Sequence, residues 1–65
     1  MATYSVLSED EKNSIRQSAV RSLEFQMYAL ELDLIAENAK SEPAADRVTF
    51  LESAIAEKQT QIAAL

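Results

Sequence analysis

The residues best suited to chemistry in this sequence are two glutamates, Glu24 and Glu31, in the segment LEFQMYALEL. They lie seven positions apart, which is about two turns of an α-helix, so both carboxylates would follow one ridge and could meet carboxylates of a neighbouring copy. A solvated acidic ridge that guides helix pairing is the more common meaning of this spacing. We therefore interpret the two glutamates as surface residues and not as a reaction centre.

The side chains that most enzymes use are absent from the sequence. With no histidine and no cysteine, the usual general base, the strongest nucleophile, the zinc knot and the Glu-x-x-His di-iron pattern are all missing. The absence of glycine removes the phosphate-binding loops. A catalytic lysine, for which Lys58 is the candidate, would need a pocket that two helices hardly provide. We predict a non-enzymatic protein with no catalytic residue, no cofactor and no metal.

The elements that position these side chains are predicted to be helices. No glycine or proline lies between Ser8 and Pro43, and good helix formers dominate the middle of that segment. The motif LELDL alternates as an exposed strand would, but no turn residues flank it. Ser8 and Glu11 form a capping box at the start of the segment. At its other end Pro43 disfavours helical geometry in the preceding residue and suits the first turn of a new helix.

These signals predict an all-α fold, a two-helix antiparallel hairpin with a long first helix and coiled-coil-like spacing, which we expect to assemble into a helical bundle. The first helix should cover about residues 9–40, the turn about 40–43 and the second helix about 43–65. Residues 1–7 form an N-terminal arm. The segment SEDEKNSIRQ lies too far from the turn for the second helix to cover it, so it should project beyond the hairpin.

The first helix carries two apolar sets, each with the alternating spacing of three and four residues that is typical of a coiled coil. At about 100° per residue, the centres of the two sets lie roughly 150° apart around the helix. We name them the Leu30 face and the Leu32 face. The Leu30 face comprises Val20, Leu23, Met27, Leu30 and Leu34, and the Leu32 face comprises Phe25, Tyr28, Leu32, Ile35 and Ala39. Two separate partners are implied.

The second helix has one clear apolar set, so it can cover only one of these faces. Its members are Val48, Leu51, Ile55, Lys58, Ile62 and Leu65. When the chain folds back near residues 41–42, both faces of the first helix meet this set in almost the same register, and the sequence does not choose between them. Lys58 either extends its ammonium group to solvent or to a carboxylate such as Glu24, or fixes the register as a polar residue among apolar ones.

The uncovered face predicts association. A chain of 65 residues buries only about 60% of its unfolded surface, and small folds commonly gain stability by oligomerising. We expect a protein partner, most simply a second copy in a homo-oligomer. One alternative is a small acidic adaptor or inhibitor of another protein, including a phage virion, accessory or anti-factor role. Another is a broadly amphipathic helix whose extra apolar residues have no partner.

The net charge and the composition of the chain limit the partners and the compartment that we expect for the protein. A net charge of −5 argues against direct nucleic-acid binding, although an acidic protein can also mimic nucleic acid. The sequence lacks a signal-peptide pattern and any apolar run of about 20 residues, so we expect no membrane insertion and a cytoplasmic protein or part of a soluble assembly such as a virion. In the N-terminal arm, Tyr4 and Val6 are candidates for contact with a neighbouring subunit.

Overall fold

The computed structural model describes residues 6–65, which form two helices that pack against each other. Helix α1 is Glu9–Asn38 and helix α2 is Ala45–Ala64. The described residues contain no strand. The predicted all-α helical hairpin is therefore confirmed. The molecule is elongated, with extents of 56 × 21 × 12 Å.

The start of α1 is fixed by a capping box. Ser8 has an extended backbone, and its hydroxyl oxygen accepts a hydrogen bond from the Glu11 backbone N–H at 3.2 Å. The Glu11 carboxylate in turn accepts from the Ser8 backbone N–H at 3.0 Å. The backbone hydrogen bond from Ser8, followed by the one from its side chain, lowers the pKa of Glu11. Both bonds satisfy groups that a helix end leaves without partners, so α1 begins at Glu9.

The connection between the helices is organised by Glu37. One carboxylate oxygen of Glu37 accepts from the Ala44 backbone N–H and the other from the Lys40 ammonium group, both at 3.1 Å. Ala44 is extended, with ψ of 114°, so α2 begins one residue later and Pro43 precedes the helix. This differs from the prediction that α2 begins at about residue 43 with Pro43 in its first turn. Likewise α1 ends at Asn38, about two residues before the expected position.

The core of the hairpin is small. Among the described residues, Leu51 on α2 is the only buried hydrophobic side chain, at 1% exposure. Half-buried side chains from both helices make up the rest of the region where α1 and α2 pack together. On α1 these include the whole Leu30 face, Val20, Leu23, Met27, Leu30 and Leu34, and on α2 they are Val48, Ala54, Ile55, Lys58 and Ile62. The Leu30 face is therefore the one that α2 covers.

The first ten residues of α1 lie beyond this core. They are exposed except for Lys12, and Ile15 is an exposed apolar residue among them. The first half-buried apolar residues of α1 are Ala19 and Val20. The longer helix thus extends past the shorter one at the N-terminal end of α1.

Candidate interaction surface

The Leu32 face of α1 lies on the outside of the hairpin. Phe25, Tyr28, Leu32 and Ile35 are 64%, 59%, 48% and 63% exposed, and Ala39 is exposed as well. The face spans fourteen residue steps, or about 21 Å along the helix. Since its centre is roughly 150° from that of the Leu30 face, α1 has α2 on one side and an uncovered apolar face almost opposite.

Arg21 continues the Leu32 face toward the N-terminus, because it lies four residues before Phe25. Its guanidinium carbon is 4.9 Å from the centroid of the Phe25 ring, which is a cation–π contact. The same guanidinium group forms an ion pair with Glu24, with 3.6 Å between nitrogen and oxygen. These contacts hold a positive charge at one end of the apolar row.

The two flanks of the Leu32 face differ in character. At about 100° per residue around the helix, Glu24 and Glu31 lie on the flank between the Leu32 face and the Leu30 face. Glu24 is paired with Arg21, whereas no described lysine or arginine lies within ion-pair distance of Glu31. The other flank carries small, exposed side chains at seven-residue intervals, Ser22, Ala29 and Ala36. One flank is therefore acidic, and the other is uncharged and carries small side chains.

The structure places the remaining candidate residues elsewhere. The Leu30 face, which the sequence offered as an equal candidate, is occupied by α2. Tyr4 lies outside the described residues, and Val6 is fully exposed. Lys58 is half-buried, and among the described residues it has no carboxylate within ion-pair distance. The suggested partner of Lys58, Glu24, is bound by Arg21 instead.

Sequence reasoning did not identify Glu37 or Phe50. Glu37 is 7% exposed, and the hydrogen bond from the Ala44 backbone, followed by that from Lys40, holds its pKa below the ordinary value despite desolvation. A signal was present, because Glu37 lies three residues after Leu34 and so continues the spacing of the Leu30 face. Phe50 is an exposed aromatic residue on α2, with Arg47 5.8 Å from its ring centroid. No periodic pattern indicates Phe50.

The described residues form an open surface. No pocket is present on it, and no group of three or more acidic residues is arranged to hold a metal ion. Within the same residues, neither helix combines the length and the apolar character needed to cross a bilayer. The structure thus defines a helical hairpin with one exposed apolar helix face. Comparison of the chain with protein-family models, with curated proteins and with solved structures finds no match.

Proposed function

We propose that this protein is a non-enzymatic structural or interaction subunit that self-associates through the Leu32 face. The observation that supports this function is the exposure of large apolar side chains in helical register on α1, opposite a face that α2 already covers. Monomeric soluble proteins rarely expose contiguous apolar surface of this kind, and such surface commonly marks a site of protein contact. A second copy carries the same apolar face and requires no other partner.

The surface area of the chain supports an interface of ordinary size. The chain exposes 5205 Å², whereas a compact folded monomer of 7.2 kDa exposes about 4,100 Å². The excess is about 1,100 Å². Residues 1–5, which lie outside the described residues, contribute to this total. Stable interfaces begin at about 600 Å² per partner, so the excess is of the order that such an interface removes.

The small size of the hydrophobic core also supports self-association. Only Leu51 is buried among the hydrophobic side chains of the described residues, so the isolated hairpin has little apolar burial to offset the entropy of ordering its chain. Covering the Leu32 face would add four large side chains to the buried set. Association and folding are then linked, and a higher protein concentration stabilises the folded state.

The proposal is tested by placing the same charge on and off the Leu32 face. Leu32→Asp introduces a carboxylate at the centre of the face, and Gln26→Asp introduces one at an exposed position on another side of α1, where the side chain bonds only to Ser22. We expect the wild-type protein and Gln26→Asp to sediment as oligomers and to melt at temperatures that rise with concentration. Leu32→Asp should sediment as a helical monomer, because an unpaired charge is costly in an apolar interface.

Two results would contradict this function. A wild-type chain that sediments as a folded monomer, with a melting temperature unchanged over a hundredfold range of concentration, would remove self-association and favour the acidic adaptor or inhibitor. Equal oligomer size in Leu32→Asp and the wild type would show that the chain associates through a different surface. Circular dichroism of each variant at the sedimentation concentrations establishes that it is folded.

A further inference from the structure

The side chains of the Leu32 face decrease in size along α1. The order from the N-terminal end is Phe25, Tyr28, Leu32, Ile35 and Ala39. All five are exposed, so this gradient is present on the surface that a partner meets. Helices pack closely when a large side chain on one faces a smaller one on the other, which keeps the distance between their axes uniform.

The gradient distinguishes the two ways in which identical helices can pair. In a parallel pair, Phe25 faces Phe25 and Ala39 faces Ala39, so one end is crowded and the other leaves a gap. In an antiparallel pair about a twofold axis level with residue 30, Phe25 faces Ile35 and Tyr28 faces Leu32. Each contact then combines a larger with a smaller side chain, and the packing is even along the face.

Charge at the ends of the Leu32 face favours the same orientation. A parallel pair brings the two Arg21 guanidinium groups together, whereas the antiparallel pair places Arg21 beside Ala39 of the second copy. Ala39 caps the carboxyl end of α1, whose last turn contains no basic residue. A positive charge there complements the helix dipole, and the small alanine leaves room for the arginine side chain.

We infer that two copies pair antiparallel through the Leu32 face, with Arg21 of each copy against Ala39 of the other; this inference rests on the proposed self-association. Because the two faces of α1 lie roughly 150° apart, the four helices form a layer in the order α2, α1, α1, α2. The neutral flanks with Ala29 meet on one side of the layer and permit close approach. The acidic flanks meet on the other, where Glu31 lies about 3 Å along the axis from its copy.

A disulfide experiment tests the orientation, because the chain has no cysteine of its own. Arg21→Cys and Ala39→Cys chains are first shown by sedimentation to associate, then mixed in equal amounts, oxidised and identified by mass spectrometry. The antiparallel pair predicts disulfides between the two different chains, since the facing positions come within the distance that a disulfide spans. It predicts none between identical chains, whose two cysteines are about 27 Å apart along the axis.

Each other outcome has a separate meaning. Disulfides only between identical chains would overturn the antiparallel orientation and leave self-association intact, and associated chains with no disulfide would overturn the register. Failure of the wild-type chain to associate would overturn the proposed function itself. As a second measurement, Glu31→Gln should tighten association several-fold in the antiparallel pair by removing a like-charge contact. In a parallel pair Glu31 faces Ala36, and the dissociation constant should not change.

Discussion

Replacement of Leu51 by alanine tests where the stability of the hairpin lies. Leu51 is 1% exposed and is the only buried hydrophobic side chain of the described residues. Replacing a buried leucine by alanine costs about 2–5 kcal/mol, and less when neighbouring side chains can move into the space. No other hydrophobic side chain of the described residues is buried, so we expect the lower part of this range, about 2–3 kcal/mol.

The stability lost in Leu51→Ala is large relative to the free energy of unfolding of the whole chain. A 65-residue chain has a free energy of unfolding of about 3–10 kcal/mol at the usual stability per residue. Its entropy of unfolding is about 0.14 kcal/mol/K, so a loss of 2–3 kcal/mol lowers the melting temperature by about 15–20 °C. At the lower end of the stability range, Leu51→Ala leaves a free energy of unfolding of only about 0–1 kcal/mol, so up to about half of the chains are unfolded at room temperature.

The assay is thermal unfolding followed by circular dichroism, with Leu32→Ala as the matched control. The control makes the same substitution at a position that is 48% exposed, and alanine is at least as good a helix former as leucine. At the lowest measurable protein concentration, where association contributes least, Leu32→Ala should change the melting temperature by only a few degrees. Equal destabilisation by the two variants would refute the assignment of the core to Leu51 and its neighbours.

Two further predictions concern the ends of the helices. Ser8→Ala removes the hydroxyl that accepts from Glu11 and should lower the free energy of unfolding by about 1 kcal/mol, with faster amide hydrogen exchange confined to the first turn of α1; unchanged exchange there would contradict the capping role. Glu37 has a lowered pKa, so its contribution is present above its ordinary pKa of about 4.3 and is lost as the pH falls through the folded value. Glu37→Gln should therefore flatten the acid side of the stability curve, and an unchanged pH dependence would contradict this.

Local signals in the sequence were sufficient for the helices and their start. The capping box needs only Ser8 and Glu11, three residues apart, and the absence of glycine and proline over the following thirty residues leaves little alternative to a helix. The end of α1 was harder to predict. Glu37 accepts a hydrogen bond from the backbone of Ala44, seven residues away, and this contact exists only after the chain has turned.

The choice between the two faces of α1 could not be predicted, because both have the same spacing and meet α2 in nearly the same register. The structure offers a physical reason for the outcome. Glu37 is seven residues after Leu30 and therefore lies on the same side of α1. Its carboxylate reaches the Ala44 N–H when the Leu30 face is turned toward α2, so the hydrogen bonds at the turn and the burial of Leu51 favour the same rotation of α1.

The strand-like alternation of LELDL is explained by the two apolar faces of α1. Leu30 and Leu34 lie on the face that α2 covers, and Leu32 lies on the exposed face almost opposite. When two apolar faces lie roughly 150° apart on a helix, successive turns place an apolar residue on each side, and a short window then resembles the period of a strand. The same alternation in a long segment without turn residues is therefore typical of a helix with apolar faces on two sides, and within the hairpin α2 covers only one of them.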